Sequence, residues 1–220
     1  MIPLRDTIPS LRTPVVTYAL IVANVGVFLQ ELSHGANLDA FLLTWGLVPK
    51  HFSWATVLTS MFLHGGWMHL ILNMLTLHIF GDNVEDRLGR GRYLLFYVAC
   101  GAAAAAGQAL SNPHSGIPMV GASGAIAGVC GAYFLFFPRA RVVTLVPVFV
   151  FIQVVEIPAV VFLLLWFVLQ VLSGLATLGA RDGAGGVAFW AHVAGFVAGL
   201  ILGPVMRRRP TWDAEAAWRH

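Results

Sequence analysis

Apolar runs close in length to the roughly 20 residues that carry an α-helix across a bilayer recur along the whole chain, at 14–30, 64–80, 93–110, 123–137, 158–178 and 187–206. A chain built this way is expected to be an all-α polytopic membrane protein, a single domain over 1–220, because the six spans leave no room for a second core. Composition agrees: 10% of residues are charged and mean hydropathy is +0.80, where an ordinary soluble domain carries about 25% charged residues. The opening MIPLRDTIPSLRTP has no basic cluster running into a short apolar core and a small-residue cleavage site. The first span therefore reads as retained, not as a removable signal.

Charge sorts across the expected spans. With six of them, the termini and the second and fourth loops share one side and carry Arg5, Arg12, Arg87, Arg90, Arg92, Arg139, Arg141, Arg207, Arg208, Arg209 and Arg219. The other side has Lys50 and Arg181. Short cytoplasmic loops collect Lys and Arg, so both termini are expected in the cytoplasm; an odd number of spans would scramble the sorting. The arginine triplet in the tail 207–220 then reads as a membrane-surface anchor, with no nucleic-acid role. Brief tails around a bare six-span core favour a bacterial inner membrane.

The connections differ in character. The longest, 31–63, contains FLLTWGLV and the aromatics Phe52 and Trp54, and is expected to be a structured element at the outer interface, where such rings prefer to sit. The stretch RVVTLVPVFVFIQVVEIP, 141–158, has two prolines and a β-branched run, and is expected to be a part-irregular cytoplasmic-side connection ending at an interfacial Glu156. GAAAAAGQAL in the third span reads as a close-packing face. Cys100 and Cys130, both within spans, are expected to be small buried hydrophobes.

Polar side chains inside spans are costly and each needs a reason. Those singled out for chemistry are His64, His69, Asn73 and His78 in the second span, Ser123 at the start of the fourth and His192 in the sixth. His69 and Asn73, four apart, share a helix face, with His64 at the outer end beside Gly65 and Gly66. Gly121 and Gly124 flank Ser123, and Gly128 and Gly131 follow at helical spacing; His192 leads a matching stripe of Gly195, Gly199 and Gly203. Small-xxx-small faces pack almost backbone to backbone, so if these two meet, His192 arrives beside Ser123. A serine next to a histidine can lose its proton as it attacks a carbonyl. Unpaired amides at the start of the fourth helix, with His69 and Asn73, would receive the oxyanion. No Asp or Glu lies in spans two, four or six, so a Ser/His dyad is expected; the metal-ligating HExxH pattern is absent and no cofactor is expected.

HGGWMHLILNM, GDNVEDRLGRGRYLLFYVACG, VGASGAIAGVCGAYFLFFPRARV and FWAHVAGFVAGL resemble, in order, the signature segments of the rhomboid intramembrane serine proteases. The resemblance implies a six-transmembrane-helix rhomboid-like bundle whose fourth helix starts in mid-membrane, below a water-filled cavity open to the extracytoplasmic side. It implies Ser123 as nucleophile, His192 as base, and His69, Asn73 and the Ser123 backbone N–H as the oxyanion hole. His64 takes a supporting role, Gly195 and Gly199 are the packing glycines after the base, and 31–63 is the membrane-embedded lateral loop. One departure is Ala55 after Trp54, where many members carry a Trp-Arg pair. Because helical backbone shields its own amides, the expected substrate is a single-span membrane protein whose segment unwinds near the outer interface and enters sideways from the lipid bilayer. A catalytically inactive rhomboid-like protein that binds membrane clients is the alternative, and such relatives usually lack the serine or the histidine. A small transporter is a second rival, but the spans hold no paired charges.

Overall fold

The structure, a computed structural model, describes residues 1–148, 151–177 and 188–208. Its elements run β1 (Ile2–Asp6), α1 (Val15–Ser33), α2 (Leu38–Trp45), α3 (Trp54–Ser60), α4 (Trp67–Leu88), α5 (Arg90–Ser111), α6 (Ser123–Phe136), β2 (Arg141–Val148), β3 (Phe151–Pro158), α7 (Ala159–Thr177) and α8 (Phe189–Met206). Helices α1, α4, α5, α6, α7 and α8 fall on the six apolar runs. The expected span ends at 178 and 187, the loop cation Arg181 and the tail from 209 onward lie outside the described residues.

Among the described residues four helices, α1, α5, α7 and α8, are long and apolar enough to cross a membrane. The other two depart from the simple span in opposite ways. Helix α6 is apolar but has 14 residues, a rise of about 21 Å against a hydrocarbon core of roughly 30 Å. Helix α4 continues past its apolar run to Leu88, because its last turns hold α1 in place. The carboxylate of Glu85 accepts the N–H groups of Val16 (3.0 Å) and Thr17 (2.8 Å) and the Thr17 hydroxyl (2.9 Å). These are first-turn donors of α1 that have no partner within their own helix.

Helix α6 sits at the centre, with every residue from Gly124 to Tyr133 buried, and is packed on by α4, α5, α7 and α8. Its contact with α8 is backbone on backbone. A Cβ on Gly195 would run into the carbonyl oxygen of Gly124, one on Gly199 into that of Gly128, and one on Gly131 into that of Phe196. The alanine-rich face of α5 closes the third side, with Ala104 against Gly124 and Cys100 against Gly128. Both cysteines are free and buried.

The 141–158 connection corrects the expectation of a part-irregular segment. It forms an antiparallel hairpin, β2 with β3, and β1 joins the other side of β2. The β-branched residues drive this, since Val142, Val143, Thr144, Val154 and Val155 suit a pleated surface. Pro147 is tolerated because β1 pairs with β2 only from Val142 to Leu145, leaving Pro147 at a position with one neighbouring strand. Arg141 and Glu156 form a half-exposed ion pair at 3.2 Å. The long connection 31–63 is structured, with α2, α3 and two short 3-10 turns, Gly35–Asn37 and Pro49–His51. Its rings Trp45, Phe52 and Trp54 are exposed.

Candidate active site

Ser123 is the first residue of α6, after an N-cap at Ala122. The Ile126 N–H is bonded to the Ala122 carbonyl (3.0 Å), so the N–H groups of Ser123, Gly124 and Ala125 stand at the helix start, where no intrahelical acceptor exists. The approach to the serine is pinned from the 31–63 connection. Leu47 and Met119 exchange backbone hydrogen bonds (3.0 and 2.8 Å), and the Gly121 N–H donates to the Ser60 carbonyl (2.9 Å). Gly121 has φ +126, a backbone conformation other residues rarely adopt. A Cβ there would also lie 2.8 Å from both Cε1 and Nε2 of His69, so this position brings the His69 ring over the serine.

The glycine ladder between α6 and α8 delivers His192. Its Nε2 lies 2.7 Å from Ser123 Oγ, and its Nδ1 lies 2.7 Å from Oε1 of Gln170 on α7. The Trp166 ring packs on the imidazole at 5.7 Å between centroids. The two sides of the ring are thus chemically distinct: one nitrogen meets a hydroxyl, the other an amide oxygen. An amide oxygen accepts only, so Nδ1 donates, and Nε2 is left as the acceptor for the serine O–H.

On the opposite wall, the Gly65 N–H donates to His69 Nδ1 at 3.4 Å. That leaves His69 Nε2 as the protonated nitrogen, on the side of the ring nearest Gly121. Asn73, one turn further along α4, is buried with its Nδ2 donor unpartnered. His69, Asn73, Ser123 and His192 line one cavity of about 700 Å³. His64 stands behind: its ring meets the His69 ring edge-on at 5.1 Å, and its backbone N–H is held by the Glu31 carboxylate at 3.1 and 3.2 Å. His78 is exposed and stacks on Tyr18, away from the cavity. Among the described residues no group of three or more His, Cys, Asp or Glu side chains is placed to hold a metal ion.

Two participants escape the sequence reading. Gln170 lies in the fifth apolar run, and an amide in a lipid-grade helix is itself a sign that a partner must exist. Glu31 closes the first run, and its pairing with a backbone N–H has no sequence signature. Ser123, His192, His69 and Asn73 face one cavity, with His64 behind them and His78 outside it.

The family model described as Rhomboid domain matches residues 51–209. Rhomboid protease GluP of Bacillus subtilis is 35% identical over 124 residues, covering 54% of this chain and 24% of that protein. Rhomboid protein 1, mitochondrial, of Saccharomyces cerevisiae is 32% identical over 139 residues (59% and 38%). RHOMBOID-like protein 4 of Arabidopsis thaliana is 33% identical over 154 residues (70% and 34%). The chain thus spans between about a quarter and two-fifths of the length of these relatives.

Proposed function

The chain belongs to the rhomboid family, and from that premise we propose that it is an intramembrane serine endopeptidase that cleaves single-span membrane proteins with Ser123 as nucleophile and His192 as base. The observation that carries this reading is the 2.7 Å contact of Ser123 Oγ with His192 Nε2 at the start of α6, inside a cavity. Ser123 Oγ attacks the scissile carbonyl as its proton passes to Nε2. The resulting oxyanion is received by the Ser123 N–H, His69 Nε2–H and Asn73 Nδ2, donors that are fixed before the charge forms. Removing one such donor typically costs about 100- to 1,000-fold in kcat. The imidazolium then gives its proton to the leaving amine, an acyl-enzyme remains, and water entering through the cavity hydrolyses it by the same relay.

Helical substrate backbone must unwind before its carbonyl can be attacked, since its amides are satisfied internally. A segment weakened by Gly or Pro near the outer interface meets that need. The clustering of Arg around the α4–α5 junction and in the α6–α7 connection favours both termini on the cytoplasmic side.

The test is labelling of the detergent-solubilised protein with a serine-reactive fluorophosphonate, wild type against Ser123→Ala and His192→Ala. Labelling confined to the wild type is expected. A folded wild type that does not label and does not cleave in lipid would turn the reading to client binding without proteolysis.

A further inference from the structure

We propose that Gln170 is a positioning residue: its side-chain oxygen fixes His192 as the Nδ1–H tautomer, so that Nε2 is always the nitrogen presented to Ser123. The inference rests on the proteolytic reading above and names a third member of the relay. The sequence of α7, AVVFLLLWFVLQVLSGLAT, is otherwise suited to lipid. Leu164, Leu165, Val168, Leu169, Leu172 and Leu175 are exposed on its outer side. Gln170 lies on the other side, in a stripe with Trp166 and Gly174 at intervals of four that faces α8.

That stripe is built against the histidine from both directions. Trp166 packs on His192 at 5.7 Å and on Phe196 at 6.2 Å. Gly174 admits the Trp190 indole, where a Cβ would lie 3.1 Å from Cε2. Between them the Gln170 oxygen stands 2.7 Å from Nδ1. A neutral imidazole has one proton to place, and its two nitrogens compete for it. With an acceptor at Nδ1, the proton stays there and Nε2 keeps its lone pair for the serine. With the amide turned over, its NH₂ would donate to Nδ1, the ring proton would move to Nε2, and Nε2–H would donate to Ser123 Oγ. No base would then face the nucleophile. One amide orientation therefore decides whether the pair can react.

An amide suits this depth better than the carboxylate of a soluble triad. It orients the ring and places a partial negative charge beside the imidazolium that forms, without holding a full charge in a helix that borders lipid.

The experiment combines kinetics in proteoliposomes with ¹⁵N NMR of histidine-labelled full-length protein, His192 being identified by the signals lost in His192→Gln. In the wild type the His192 ring carries its proton on Nδ1. Gln170→Leu is expected to lower kcat by about 10- to 100-fold, the size of effect seen when the partner that orients a metal-bound histidine is removed, with KM within about twofold and the ring signals moving to a tautomer mixture. Gln170→Glu keeps an acceptor at the same reach and is expected to recover the Nδ1–H tautomer and most of kcat. A Leu variant with wild-type kcat, or one whose tautomer is unchanged while kcat and KM both shift, overturns the inference, as does a wild type protonated on Nε2. If the wild type neither labels nor cleaves, the proteolytic reading falls by itself, and the tautomer still decides whether Gln170 positions His192.

Discussion

Gly199→Ala inserts one methyl group where α8 crosses α6. Its Cβ would lie closer than 3.0 Å to the carbonyl oxygen, carbonyl carbon and Cα of Gly128. None of these backbone atoms can rotate away, so the helices themselves must part. Reaching an ordinary carbon–oxygen contact of about 3.3 Å requires a displacement of roughly 1 Å or more. His192 lies seven residues earlier on the same helix, about 10 Å along its axis, and a rigid α8 carries it with the shift. The 2.7 Å contact with Ser123 then opens past the range of a hydrogen bond. A misplacement of about 1 Å costs on the order of 100-fold in rate, while overpacking costs about 1–3 kcal/mol of stability, a fraction of a typical reserve of about 5–15 kcal/mol. Gly199→Ala is therefore expected to stay folded and lose about 100-fold in kcat/KM. The assay is cleavage of a transmembrane substrate in proteoliposomes, with thermal unfolding of the same preparation. Gly26→Ala is the matched control, because nothing lies within 4 Å of that position. Cleavage by Gly199→Ala within twofold of wild type would show that the backbone contact does not set the serine–histidine distance.

On the proteolytic reading Asn73 is one oxyanion donor of several, so Asn73→Ala is expected to lower kcat by roughly 100-fold with little change in KM; an equal rise in KM at unchanged kcat would mean that Asn73 binds substrate in its ground state. A pH effect is expected at the sheet. Burial, reinforced by Asp82 and opposed by the Tyr133 hydroxyl that donates to it, pushes Asp6 up from 3.8 to about 7. Between about pH 4 and 7 the folded protein holds a proton that the unfolded chain has released, so stability is highest below this window, falls as pH rises through it and levels above. Asp6→Asn should reduce that slope in thermal midpoints measured from pH 4 to 8, leaving the share of Asp82 and Asp86, whose carboxyls burial also raises, and parallel profiles for the two proteins would refute the assignment.

What the sequence makes legible follows from periodicity. Gly124, Gly128 and Gly131 against Gly195, Gly199 and Gly203 are two stripes that can meet in few ways, and where they meet His192 comes beside Ser123. Elements built on long-range pairing are not legible in this way. Nothing in MIPLRD announces a strand, because β1 exists only where β2 offers it an edge, 136 to 143 residues further along the chain in the register. Hydropathy marks where α4 leaves the apolar layer near Phe80, but not that Glu85 continues the helix in order to cap α1. Gln170 stands between these cases. Its presence among leucines signals that a partner is needed, but the partner lies 22 residues away on another helix, and no spacing rule connects them.

The glycine stripes and Gln170 answer one physical constraint from two sides. A reacting histidine must be held in a defined place and in a defined tautomer. In a soluble triad a buried carboxylate contributes to both, with polar backbone and water nearby to stabilise its charge. In a bundle whose outer faces meet lipid, that charge is costly, and here the two tasks are divided. Backbone contact between α6 and α8 sets the distance, since Gly195 and Gly199 leave no slack against Gly124 and Gly128. A neutral amide on α7 sets the proton. The division predicts different failures for the two kinds of substitution: a glycine variant loses the serine–histidine contact with the tautomer intact, whereas a Gln170 variant keeps the contact and loses the tautomer. Distance and protonation state are thus separable by measurement, which they are not where one carboxylate governs both.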